Sequence, residues 1–153
     1  MESDERYLRR AMELAEEARR VGEVPVGAVL VADDAVVEAW NVKETTPDPT
    51  AHAEIVVIRE AARRLGRWRL TGATLYVTKE PCIMCAGALV AARIDRVVFG
   101  CYDPKGGAAG SVMDLLRDPR LNHRLTVEGG LLEAETAEQL RSFFAEQRRN
   151  VEE

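Results

Sequence analysis

Aromatic residues are scarce in this chain: three Tyr, three Phe and two Trp make up 5% of its 153 residues. That shortage excludes a surface that reads unpaired bases by stacking them along a row of exposed rings. Lysine occurs only at positions 43, 79 and 105, and the net charge is -5. Bulk charge therefore excludes the strongly basic nucleic-acid binders, whose affinity comes mainly from phosphate contacts. The remaining positive charge is arginine, clustered at Arg63, Arg64, Arg67 and Arg69 and again at Arg148 and Arg149, which leaves room for a local basic rim. No apolar run approaches the roughly 18 residues of a membrane helix, and the acidic start lacks the charged-then-apolar layout of a signal peptide. Cysteines number three. An odd count, with two of them close in sequence, argues against a disulfide framework and for metal or thiol chemistry in a reducing compartment. The protein is expected to be cytoplasmic and to touch no membrane.

What is present suits one domain over residues 1–153, with 46% hydrophobic and 31% charged residues and enough chain to bury a core without cross-links. Leu8, Ala11, Met12, Ala15 and Ala18 recur at helical spacing over 4–21, with Ser3 as N-cap and Gly22 as the stop. Val24 to Ala32 is nearly all apolar, Asp33-Asp34 supplies a turn, and Ala35 to Trp40 returns, which predicts a β-hairpin whose first strand is buried on both faces. A second helix is expected from Ala51 to Leu65, capped by Thr50 and ended by Gly66, with Ile55, Ile58, Ala62 and Leu65 inward. Ala73 to Thr78 reads as a buried strand, Pro81 to Ala92 as a helix opened by its proline, and Arg96 to Phe99 as a short strand. A glycine-rich loop follows over 101–110, then a short helix with Ser111 and Asp114 as its capping box. A weak strand near Leu125 to Val127 precedes a last helix from Ala134, with Ala137, Leu140 and Phe144 on one face. Helices alternating with buried strands predict a three-layer α/β/α domain.

The chemistry concentrates in two short stretches, His52-Ala53-Glu54 and Pro81-Cys82-Ile83-Met84-Cys85. One imidazole and two thiols make three zinc ligands, and three protein ligands leave a tetrahedral position for water, as catalytic sites require. Cys82 and Cys85 share one side of a helical turn, at the positive end of the helix dipole, where thiolates are favoured. Glu54 does not share the direction of His52, because residues two apart on a helix do not face each other. It is placed to take the proton of an activated water and to return it to a reacting group. A redox pair or a closed structural zinc site recruiting Cys101 or His123 is the bland alternative. Cys101 follows a buried strand and reads as a packed thiol, and His123 lies in a polar stretch that suits a surface or substrate contact.

The order His-x-Glu then Pro-Cys-x-x-Cys is the known signature of zinc nucleobase deaminases. Val24 to Val31, Asp48 to Glu54, Thr74 to Thr78, Glu80 to Ala88 and Val97 to Gly100 together resemble the bacterial tRNA-specific adenosine deaminases. The likeness extends to Asp103 to Ser111, to Asn122-His123-Arg124 and to Phe143-Phe144, and so covers essentially the whole chain. It implies a homodimer with a cytidine deaminase-like fold on a mixed, mostly five-stranded sheet, and one Zn2+ per subunit held by His52, Cys82 and Cys85. It further implies a tRNA anticodon stem-loop as substrate, whose wobble adenosine, in a tRNA-Arg, is converted to inosine with Glu54 shuttling protons. By the same likeness Asn41 contacts the flipped nucleoside, and Asp103, Lys105 and Phe144 line the path of the anticodon loop. The runner-up is a free nucleobase deaminase (guanine or cytosine) of the same fold, which needs a closed pocket. A third reading is a zinc-stabilised RNA-binding module with no turnover.

Overall fold

A computed structural model describes residues 2–152. Chain order runs α1 (Glu2–Arg20), β1 (Gly27–Ala32), β2 (Ala35–Trp40), α2 (Ala53–Leu65), β3 (Thr74–Lys79), α3 (Ile83–Ala91), β4 (Arg96–Cys101), β5 (Thr126–Glu128) and α4 (Glu133–Glu152). The strands form one sheet in the order β2-β1-β3-β4-β5. β1 pairs antiparallel with β2 and β3, whereas β3–β4 and β4–β5 are parallel. The mixed five-stranded sheet expected from the sequence is therefore present, and no helix among the described residues is long and apolar enough to cross a membrane.

Alternation along the strands divides the core in two. Ala28, Leu30, Leu75, Val77, Val97 and Phe99 face one way, against Ala53, Val57 and Ala61 of α2 and Ala86 and Leu89 of α3. Val29, Tyr76 and Val98 face the other way, against Leu8, Ala11 and Leu14 of α1. α4 lies beside α1 on that second face, where Gln139 Nε2 donates to Met12 O at 2.9 Å. The result is the predicted three layers. At Gly27 a Cβ would sit 2.0 Å from the Ala11 carbonyl oxygen, so the missing side chain is what lets α1 lie directly on β1.

Several boundaries depart from expectation, for local reasons. Ser3 lies inside α1, because the acidic run Glu2, Asp4 and Glu5 already favours the positive end of the helix. Leu14 is buried where Met12 is only half-buried. β1 begins at Gly27, since Pro25 interrupts the apolar run before it. Thr50 does not cap α2: its hydroxyl donates to Asp48 Oδ1 (2.7 Å) in an Asx turn, and His52 takes the cap position. Pro81 stays outside α3, whose cap is Cys82. β4 extends through Cys101. No helix forms at 111–114, because the Ser111 hydroxyl is taken by Glu80. On α4 the inward face holds Thr136 and Phe143, while Phe144 is 44% exposed.

Candidate active site

Both helices on the α2/α3 face start at the same end of the sheet, which brings their cap residues together. His52 Nδ1 lies 3.7 Å from Cys82 Sγ and 3.5 Å from Cys85 Sγ. The three donor atoms lie within 4.8 Å of one another, and among the described residues no fourth His, Cys, Asp or Glu joins them. Zinc with bonds of about 2.3 Å to sulfur and 2.0–2.1 Å to nitrogen sets tetrahedral N···S edges near 3.5 Å. The arrangement fits that ion in spacing and in donor chemistry.

The thiols polarise each other. Cys82 is held low, at about 3, first by the hydrogen bond from the Cys85 thiol and then by His52. Cys85 is pushed up by the same bond, by burial and by the charge of Glu54. His52 is raised by its hydrogen bond to Cys82, against the effect of burial. Glu54 is 4% exposed, and burial raises its pKa above the ordinary carboxyl value.

A cleft of about 160 Å³ opens over this group, lined by Val24, Val26, Asn41, Lys43, His52, Glu54, Lys79, Glu80, Cys82 and Phe144. At about 30 Å³ per liquid water it holds the equivalent of roughly five waters, the scale of a single planar ring system. A wider groove of about 640 Å³ between α1 and β2 contains none of these side chains.

The sequence-predicted residues divide clearly. His52, Glu54, Cys82, Asn41 and Phe144 line the cleft, and Cys85 sits buried beneath it. Asn41 uses its Oδ1 to accept the Ala53 N–H at 2.7 Å, which turns its amide N–H2 toward the cleft. Asp103 and Lys105 are not among the residues that line the cleft; both lie on the loop beyond β4. Asp103 pairs with Lys79 at 3.2 Å. Burial alone would raise its pKa, but the Lys79 ammonium and the N–H groups of Lys105 and Gly106 hold it below the ordinary value. Cys101 is a packed thiol that donates to Thr78 O. His123 is placed elsewhere: its Nε2–H donates to Ile94 O at 2.6 Å, so it ties down a loop and touches neither metal ligands nor cleft.

Sequence reasoning missed Lys43, Lys79 and Glu80. Glu80 was legible in principle, as an acidic residue lodged between a buried strand and the Cys-x-x-Cys turn, where no solvated face is available to it.

Residues 1–101 match the cytidine and deoxycytidylate deaminase zinc-binding region. The chain is 51% identical to the tRNA-specific adenosine deaminase of Bacillus subtilis over 97% of its own length and 93% of that protein. A solved structure from studies of A-to-I editing by tRNA:A34 deaminases at the wobble position of transfer RNA superposes with a TM-score of 0.84 at 47% identity, covering 88% of this chain and 99% of that one. A guanine deaminase from Bacillus subtilis is more distant, at 34% identity and a TM-score of 0.63 over 94% of this chain and 93% of that one.

Proposed function

The chain belongs to the tRNA-specific adenosine deaminases and carries the zinc-binding region of the cytidine and deoxycytidylate deaminases, and from that premise we propose that it hydrolyses the wobble adenosine of a tRNA anticodon, in tRNA-Arg, to inosine and ammonia. The observation that carries this reading is the buried Glu54 carboxyl beside a three-donor His52, Cys82 and Cys85 cluster at the floor of a ring-sized cleft. His52, Cys82 and Cys85 hold one Zn2+ per subunit. Bound there, zinc supplies the Lewis acidity that makes water nucleophilic at neutral pH.

Glu54 does the proton work. Burial raises its pKa, which favours a carboxyl that accepts a proton from water and passes it on. It carries two protons in turn: the first, from water, goes to the ring nitrogen beside the reacting carbon and stays there as the N–H of inosine, and the second, from the added hydroxyl, goes to the departing amino group, so water and adenosine become inosine and ammonia. Asn41 orients the flipped base through its free amide N–H2, and Phe144 forms the lip of the cleft. Lys43 and Lys79 line the cleft and Lys105 lies on the adjoining loop. These are the only three lysines of the chain, so an acidic protein still presents a cationic rim to the phosphates of an anticodon loop. Asp103 and Lys105 border the path of that loop.

The whole of residues 1–153 acts as one deaminase domain, as a homodimer in the cytoplasm. Ile83 follows Cys82, and Val112 and Met113 both donate their N–H groups to the carbonyl of Gly107, which bridges Cys82; all three are exposed, and an apolar surface there suits coverage by a second subunit. Light scattering in solution checks the dimer.

An anticodon stem-loop with a wobble adenosine should yield inosine and ammonia with the zinc-loaded protein. Turnover of free guanine or cytosine, with that RNA untouched, would move the protein to nucleobase salvage.

A further inference from the structure

Glu80 is a carboxylate with only 2% of its surface exposed, set between the end of β3 and the metal-binding turn. Neither the proton chemistry nor the metal uses it. All its acceptor capacity goes instead to the loop beyond β4. Oε1 accepts the backbone N–H of Asp103 at 2.9 Å and the hydroxyl of Ser111. Oε2 accepts the backbone N–H groups of Ala109 and Ser111, both at 3.0 Å. Both ends of a nine-residue segment, 103–111, are thus gathered on one side chain. Hydrogen bonds to a charged acceptor are the stronger kind, and the low local dielectric strengthens them further.

The loop is shaped around that carboxylate. A Cβ on Gly107 would fall 2.2 to 2.4 Å from the Glu80 carboxyl atoms, so the glycine makes room for the clamp. Gly107 also forms a bridge with Cys82, and the Ala108 N–H donates to Pro81 O at 2.8 Å. One side chain therefore couples the metal-ligand turn to the loop that carries Asp103 and Lys105. From inside the cleft the Lys79–Asp103 ion pair adds a second tie to the same loop.

We propose that Glu80 is a positioning residue for substrate recognition: it holds the 103–111 loop in the one shape that lets Asp103 and Lys105 border the substrate path. This rests on the RNA deaminase reading above, and its test is separable from that reading. Glu80→Gln keeps the size of the side chain but replaces one oxygen with a donor. Each oxygen here accepts two donors, so either orientation of the amide sets N–H against N–H.

The experiment compares zinc-loaded wild type, Glu80→Gln and the milder Ser111→Ala, which loses a single hydroxyl donor. Amide hydrogen exchange by NMR is expected to show protection at Asp103, Ala109 and Ser111 falling about 100-fold in Glu80→Gln with the sheet unchanged, as a local opening does. Zinc stays at one per chain. KM for the wobble-adenosine stem-loop is expected to rise about tenfold or more, with a smaller fall in kcat, the pattern of lost binding over lost chemistry. Ser111→Ala shifts the same quantities in the same direction by less. Unchanged protection at the three amides overturns the proposal, as does a fall in kcat at constant KM. If wild type leaves the RNA untouched, the RNA deaminase reading fails, and the exchange data still decide whether Glu80 clamps the loop.

Discussion

The side-chain carbonyl of Asn41 accepts the backbone N–H of Ala53 at 2.7 Å, so the end of the hairpin caps a helix whose own cap residue leaves that position open. His52 makes no side-chain cap bond, because its ring is turned to the cysteines. Releasing a residue from capping for metal binding thus requires a second residue to do the capping. Asn41→Ala is expected to lower stability by about 1–3 kcal/mol, since a buried N–H loses its acceptor. Asn41→Asp keeps an acceptor for Ala53 and loses the donor that faces the cleft. Thermal melts should place it below wild type, because the site buries the new carboxyl, while kcat/KM on the stem-loop falls about tenfold or more, a hydrogen bond's worth of transition-state binding.

Glu54 illustrates a stability cost carried for function. Its burial disfavours the charged form, and a neutral amide of the same shape escapes that penalty. Glu54→Gln should therefore melt at or above the wild-type temperature and keep its zinc, while turnover falls by about 10²–10⁴, the usual contribution of a general acid–base group. Loss of zinc in this variant would mean that the carboxyl supports the metal and does not serve the proton transfers.

The other face of the sheet predicts a pH response unconnected with catalysis. Arg96 donates to both oxygens of the buried Asp4 (3.0 and 2.6 Å), and the Tyr76 hydroxyl donates to Asp4 Oδ1 at 2.7 Å. The Arg96 hydrogen bonds hold the Asp4 carboxyl far below the ordinary carboxylate range, against burial. A depressed carboxyl contributes stability that is complete above its unfolded value, near pH 4, and fades as pH falls from there toward the folded value. Tyr76 is pushed up to about 12 by burial and then by its bond to Asp4. Its contribution is complete below the unfolded value near 10 and fades as pH rises through about 12. Urea midpoints should show Asp4→Asn costing about 2 kcal/mol at pH 7, with the gap to wild type closing below roughly pH 4.

The sheet, its helices and the metal donors were legible because each has a local signature. Leu8, Ala11, Ala15 and Ala18 repeat at helical spacing, Asp33-Asp34 turns a hairpin, and His52 with Cys82 and Cys85 carries ligand spacing. Residues whose roles depend on distant partners were not. Thr50 reads as a cap until Asp48 takes its hydroxyl, and Ser111 reads as the start of a helix until Glu80 claims it. His123 suits a substrate contact on sequence alone, and the Ile94 carbonyl that binds it is 29 positions away. Phe143 and Phe144 show the same limit at one residue's resolution. Helical spacing requires one of them inside, and the structure makes it Phe143, which is buried with Arg19 of α1 over its ring.

Cys82, Cys85 and Cys101 should respond differently to the same substitution. All three are free thiols, but Cys101 is outside the donor cluster and donates to the Thr78 carbonyl. Cys101→Ala removes a packed sulfur and should cost about 1 kcal/mol of stability, with metal content and turnover retained. Cys82→Ser or Cys85→Ser should lose zinc, because an alcohol remains protonated where a thiolate is needed. Chelation of wild type should stop turnover and lower the melting temperature, since an ion bound only by the folded state stabilises it by mass action. Cobalt substitution supplies the independent readout. Its thiolate charge-transfer absorption should match two sulfurs in wild type and in Cys101→Ala, and drop in either ligand variant. A third sulfur's worth of absorption in wild type would place Cys101 on the metal and close the position that water needs.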